Sequence, residues 1–254
     1  MNIAHPSRPI SLHGKCVTVD RLSDDLRRAM QDLFMTTYDG VDSAKFQSDL
    51  AAKSHVLLIY DSDDRLRGFS TIVVWNHSFN GRRINLLFSG DTVIERGAWG
   101  HMALVVSFLK FFGANDAAEP DMPLYWLLTT KGHRTYRYLP LMFKHFWPNW
   151  KDDRQTELDG ELAKDVGNAF FPGSFDAERG IVALQGHYER LKPEFAIVPK
   201  KDMKRTDVRY FLERNPNYAS GEELLCLVRL SEENVRHGLL RYFLRGTQSG
   251  ILGA

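Results

Sequence analysis

The stretch Val93-Ile94-Glu95-Arg96-Gly97-Ala98-Trp99-Gly100-His101 sets two glycines directly ahead of an apolar run that begins at Met102. Glycine lets a backbone approach a ligand closely, and the first turn of a helix presents unpaired N–H groups at the positive end of its dipole. A phosphate or another anion suits that arrangement. A plain turn ahead of a buried helix would use the same residues. Other groups with chemical potential lie nearby in the sequence: the carboxylates of Asp91 and Glu95, the phenols of Tyr136 and Tyr138, and the imidazoles of His77 and His133. Lys131, Arg134 and Arg137 form one basic cluster, and Lys200, Lys201, Lys204 and Arg205 another. Either can recognise phosphates or an acidic partner, or simply face solvent.

Several chemistries are disfavoured. There is no Gly-x-x-x-x-Gly-Lys-Ser/Thr loop and no Gly-x-Gly-x-x-Gly fingerprint. A Gly-x-Ser-x-Gly elbow is missing, which weakens a hydrolase reading. Histidines and cysteines lack zinc spacing, so no metal is expected. The 33 basic and 32 acidic side chains leave a formal charge of +1, which gives no general reason to expect a nucleic-acid partner. Two isolated cysteines, Cys16 and Cys226, fit a reducing cytoplasm better than a disulfide framework. No charged-then-apolar leader and no run of about 18 apolar residues is present, so a soluble cytoplasmic protein without a transmembrane segment is expected.

The elements that must position these groups follow from periodicity. Residues 1–14 read as a polar arm, with a short strand at Cys16–Val19. Ser23 can cap a helix carrying Leu26, Met30, Leu33, Phe34 and Tyr38 on one face, ended by Gly40. A second helix covers Ser43–Lys53. Three strands follow at Val56–Tyr60, Leu66–Trp75 and Ile84–Ile94, the last pair joined by Asn80-Gly81, whose residues both tolerate positive φ. Ser89-Gly90-Asp91 interrupts the third strand as a bulge would. Met102, Val105, Val106, Leu109 and Phe112 share a helical face, with Gly113 closing the element and a loop at Ala114–Pro123. A strand at Leu124–Thr129 and a helix from His133 to Phe146, broken or kinked at Pro140, complete a core of about residues 15–147. Beyond it, helices are expected around Leu158–Phe170, at Val208–Leu212 and from Val235 to Phe243. Strands are expected at Ile181–Leu184, Phe195–Val198 and Leu224–Leu230. With no linker or repeat in view, residues 1–254 read as one domain, with 148–254 a C-terminal α/β extension docked on the core.

This order resembles the GNAT superfamily of N-acyltransferases. The charged turn Asp63-Asp64-Arg65-Leu66-Arg67-Gly68-Phe69 is similar to the family's second hairpin, and residues 93–101 stand where the family has its acyl-donor loop. The resemblance implies a mixed, mostly antiparallel central sheet flanked by helices. It also implies transfer of an acyl group from acyl-CoA or an acyl carrier protein to a small-molecule amine, by direct transfer in a ternary complex and without a metal. In the family's pattern, Arg/Gln-x-x-Gly-x-Gly/Ala, this chain has Trp99 and His101 at the small positions when counted from Arg96, or Met102 and Leu104 when counted from Trp99. Coenzyme A then binds differently, or the donor arrives on a carrier protein, as in the N-acyl amino acid and homoserine lactone synthase branch. Carried over by position, the resemblance makes Asp91 and then Glu95 candidate bases, and Tyr138, ahead of Tyr136, the candidate acid. The backbone of Val93 and Ile94 becomes the candidate for polarising the thioester. Trp99, Gly100, His101 and Met102 become the donor cradle. The competing reading is a catalytically silent GNAT-like module that binds a ligand or partner.

Overall fold

Asn80 and Gly81 both take positive φ, 50° and 75°, and this two-residue turn joins the two longest strands. The computed structural model describes residues 11–151, 154–183 and 189–248. The chain runs through β1 (Leu12–Thr18), α1 (Asp24–Thr37), β2 (Tyr38–Asp39), α2 (Ser43–Ala51), β3 (His55–Asp61), β4 (Leu66–Phe79), β5 (Arg82–Ile94) and α3 (Ala103–Ala118). It continues with β6 (Leu124–Thr130), α4 (His133–Tyr136), α5 (Tyr138–Met142), α6 (Arg154–Phe170), β7 (Phe175–Asp176), β8 (Ile181–Val182) and β9 (Arg190–Leu191). The last elements are α7 (Pro193–Ala196), α8 (Thr206–Arg214), β10 (Glu223–Leu230) and α9 (His237–Gln248). The fold is mixed α/β. Its main sheet has the order β1-β3-β4-β5-β6-β10-β8-β7, with β2 and β9 forming a separate small ladder.

Every pairing in the main sheet is antiparallel except β5 with β6, which run parallel. A parallel neighbour requires a crossover, and α3 supplies it. Side chains alternate across the sheet. Leu57 and Ile59 of β3 join Trp126 and Leu128 of β6 in the core under α3, while Val56 and Leu58 face α1 and α2. Leu127 of β6 and Leu225 and Leu227 of β10 turn instead toward α6. The C-terminal stretch thus supplies the sixth strand of the sheet.

Several expectations are revised. Residues 12–14 belong to β1. The helix expected to close at Gly113 runs on to Ala118, so residues 114–118 are not loop. Gly113 is needed for another reason: a Cβ there would stand 2.0 Å from the Phe243 carbonyl oxygen, and one at Gly246 would stand 2.0 Å from that of Lys110. These two glycines let α3 and α9 touch backbone to backbone. The expected helix from His133 to Phe146 divides into α4 and α5, with Phe143–Phe146 outside both. Phe195–Val198 is not a strand, because Phe195 and Ala196 close the helical turn α7. Val235 pairs with Phe143 as a lone bridge ahead of α9. The arm at residues 1–10 and Leu184 lie outside the described residues.

Candidate active site

Parallel pairing of β5 with β6 extends from Asn85–Leu124 to Ser89–Leu128 and stops there. At the same place Ile72 of β4 pairs with Ser89 while Ser70 pairs with Thr92, so Thr71 faces both Gly90 and Asp91. One extra residue in a strand bends it and re-aims its side chains. Beyond the bulge β5 stays with β4 and leaves β6, which opens a gap between the parallel strands. The Glu95 N–H bonds to the Arg67 carbonyl at 2.8 Å. Antiparallel alternation then makes Val93–Phe69 a hydrogen-bonded pair as well, and turns the backbone groups of Thr92 and Ile94 away from β4 toward the gap.

Two cavities meet at this gap. Tyr38, Thr92 and Thr135 line both. The larger, about 670 Å³, lies beside the start of α3. Its loop is held by the Trp99 indole N–H, which donates to the Ile94 carbonyl at 2.9 Å. The Arg134 guanidinium stacks 3.9 Å from the Trp99 ring centre, and Arg96 stands 4.7 Å from that of Phe195. Arg96 and Arg134 also donate to the Glu194 and Phe195 carbonyls of α7, at 2.7 and 3.1 Å. Gly100 has φ 81°, and nothing lies within 4 Å of where its Cβ would stand.

The start of α3 is partly occupied. The Ala103 N–H donates to His101 Nδ1 at 3.2 Å. The first intrahelical bond runs from Val106 to Met102, so the N–H groups of Leu104 and Val105 precede the ladder. Across the cavity stand Arg137, Lys201 and Arg205. Arg137 Nε is buried without a hydrogen bond among the described residues, and the guanidinium lies 3.8 Å from both Asp202 and Asp207. Tyr138 lines the same wall, its hydroxyl pushed up to about 12 by burial against the opposing pull of Arg137, so it is a protonated phenol at neutral pH.

The smaller cavity, about 250 Å³, lies on the other side of the gap and contains Asp91. Burial, and then the Glu189 carboxylate, push the Asp91 carboxyl up to about 6; Lys53 and Lys131 oppose the shift. No hydrogen bond or ion pair engages this carboxylate among the described residues. Lys131, 7% exposed, bonds Glu189 and Glu223 at 2.7 Å each. Burial disfavours its charge, but those two carboxylates outweigh that and raise its pKa. Its ammonium also stands 5.5 Å from the Tyr38 ring centre.

The structure sorts the sequence candidates. Asp91 lines the smaller cavity and Tyr138 the larger. Glu95 lines neither cavity; its carboxylate receives Arg67 Nη1 at 2.6 Å, and Arg67 in turn bonds Asp61 at 2.7 Å. Tyr136 is fully buried and donates to the Pro148 carbonyl at 2.8 Å. Ile94, by its backbone direction, faces the gap, whereas the Val93 N–H is spent on β4. Trp99, Gly100 and His101 line the larger cavity, and Met102 is exposed beside it. The small residues there are Ala98 and Gly100, a spacing found by counting from Glu95 and missed by counting from Arg96 or Trp99. His77 is bonded to Asp165 at 2.5 Å, and His133 is buried with its pKa lowered to about 4 by burial and Arg134. Neither lines either of these two cavities.

Lys131 is close in sequence to Arg134 and Arg137, yet it lines the smaller cavity and the arginines line the larger. The partners of Lys131, Glu189 and Glu223, are so distant in sequence that spacing offers no signal for the cluster.

No protein-family model and no curated protein matches this sequence. Solved structures do. A probable N-acyltransferase from Enterococcus faecalis is 15% identical, over 50% of this chain and 31% of that one, with a TM-score of 0.37. A GCN5-related N-acetyltransferase from Kribbella flavida is 13% identical, over 56% and 36%, with a TM-score of 0.39. FeeM, an N-acyl amino acid synthase from uncultured soil microbes, is 14% identical, over 55% and 81%, with a TM-score of 0.37. The chain spans about a third of the length of the first two. At these identities and scores, the functional reading rests on the chain's own geometry.

Proposed function

We propose that the protein is an acyl-thioester-dependent N-acyltransferase, taking its acyl group from acyl-CoA or an acyl carrier protein and passing it directly to an amine bound at the same time. The observation that carries this reading is the meeting of two cavities at the gap between β5 and β6, one with a free carboxylate and the other with a protonated phenol. Opposed cavities let two substrates approach end to end, and holding them so contributes by proximity.

The thioester enters the larger cavity. Its phosphates meet the loop from Trp99 to Met102, with Arg134, Arg137 and Lys201 supplying positive charge. The amine enters the smaller cavity, where its ammonium form loses one proton to solvent and gives a second to Asp91 as it attacks. Its nitrogen bonds to the thioester carbon, and the carbonyl oxygen takes up the electron pair near the Ile94 N–H. When the oxyanion collapses the C–S bond breaks, and the leaving thiolate receives the Tyr138 proton. Solvent restores the phenol and removes the proton from Asp91. The free state of Cys16 and Cys226 fits the reducing compartment proposed for the protein.

The silent-module reading has one observation in its favour: His101 occupies the Ala103 N–H, a donor that an anion at the start of α3 would use. Thermal shift with acetyl-, medium-chain and long-chain acyl-CoA and the matching acyl carrier proteins separates the two. A donor-specific rise is expected, and Gly100→Trp should abolish it, because the indole would project into the open side of the loop. N-acyl product should then form from an amine panel. Absence of any shift in a folded sample, or binding without product, would favour the module.

A further inference from the structure

We propose that the amine acceptor is a zwitterion of amino-acid size, with its carboxylate received by Lys53 and its amine presented to Asp91. This inference rests on the N-acyl transfer reading and adds the class of acceptor.

The smaller cavity contains three lysines, Lys45, Lys53 and Lys131, and four carboxylates, Asp49, Asp91, Glu189 and Glu223. Most are already committed. Lys45 pairs with Asp49, and Lys131 holds both glutamates. Two groups of opposite sign remain without an ion-pair partner among the described residues, Lys53 and Asp91. Each feels the other's charge, yet no ion pair joins them, so a ligand carrying both a cation and an anion would engage the two at once.

They also lie next to each other. Lys53 follows α2, and its Nζ stands 5.1 Å from the Phe88 ring centre. A Cβ at Gly90 would come within 3.2 Å of both Lys53 Cε and Nζ. The missing side chain at Gly90 therefore lets the lysine lie against the strand immediately beside Asp91. Phe88 offers the ammonium only a cation–π contact, which leaves its charge available to a stronger partner.

The cavity's total charge has the same implication. With Asp91 ionised, three positive and four negative side chains leave a net negative charge, which draws in an ammonium. A single lysine matches the unit charge of a carboxylate; a phosphate monoester carries nearly two. The cavity, about 250 Å³, also has room for an amino acid.

The test titrates the protein calorimetrically with matched pairs, leucine against isoamylamine and phenylalanine against phenethylamine, alongside O-phosphoethanolamine. At least one amino acid should bind ten times more tightly than its decarboxylated partner. Lys53→Met should remove that preference without lowering the melting temperature, and Lys53→Arg should keep part of it. Equal affinity within both pairs, no binding by any amino acid, a preference surviving in Lys53→Met, or tighter binding of O-phosphoethanolamine would overturn the inference. The pairwise comparison in the unaltered protein holds even if a variant fails to fold. Product formation with acyl-CoA is read separately. Amino acids that bind through Lys53 but are never acylated would defeat the transfer reading and leave this inference standing. Equal acylation of amino acids and bare amines would overturn this inference and leave the transfer reading intact.

Discussion

The larger cavity is edged by rings and guanidinium groups that hold one another near the surface, with Arg134 on Trp99 and Arg96 on Phe195, and Trp99 still 36% exposed. The smaller is built from carboxylates and ammonium groups drawn inward around Lys131. Exposed cation–π contacts are worth about 0.5–1 kcal/mol each. Removing one partner from a buried ion cluster costs about 3–5 kcal/mol, because the remaining charge is left uncompensated. One side of the gap should therefore tolerate change and adapt to a long ligand. The other should be rigid and sensitive to every charge placed in it.

Asp91→Asn is the sharpest way to separate the two sides. It should lower kcat/KM about 10²–10⁴-fold, the usual worth of a placed base, while the thermal shift given by the acyl donor stays unchanged. The pH profile gives the same contrast. Because burial and Glu189 raise Asp91 to about 6 against Lys53 and Lys131, with Asp49 adding to the rise, its carboxylate is mostly ionised only above that pH. For the unaltered enzyme kcat/KM should fall about tenfold per pH unit below about 6, and the Asn variant should lose that limb. A limb that persisted in the variant would remove Asp91 from the role.

Lys131→Met should cost about 3 kcal/mol by urea midpoint, since Glu189 and Glu223 would then face each other unpaired. Adding Glu189→Gln and Glu223→Gln should recover most of the loss; if it does not, the cluster matters for its packing and not its charge. Trp99→Ala should weaken donor binding roughly threefold to tenfold, through the lost stack and the lost bond to Ile94, with acceptor binding unchanged. The smallest effect is expected outside both cavities. Ser23→Ala should cost about 0.5–1 kcal/mol of stability by removing the cap that accepts the Leu26 N–H at 3.3 Å, and should leave kinetics untouched.

Local chemistry made much of the scaffold legible. The Ser23 cap, the Asn80-Gly81 turn and the interruption at Ser89-Gly90-Asp91 each depend on a few consecutive residues, and each appears where those residues demand it. Gly113 is illegible for the complementary reason. A glycine inside an apolar helix looks like a terminus until α9 is laid against it, and only then does the 2.0 Å approach of the Phe243 carbonyl account for it. Phe195 looked like strand for a similar reason, because an apolar side chain carries no mark of a single helical turn.

The site divides along the same line. By itself the sequence determined the order of elements from β3 to β6, the bulge that bends β5 and the glycine-bearing loop ahead of α3, because turns, caps and periodicity are short-range. Tertiary structure alone decided that Asp91 and Tyr138 serve opposite cavities, that Glu95 is spent on Arg67, and that Lys131 leaves its arginine neighbours to join Glu189 and Glu223. Those outcomes depend on which charges meet inside the fold and how far water is excluded from them, and distance along the chain encodes neither.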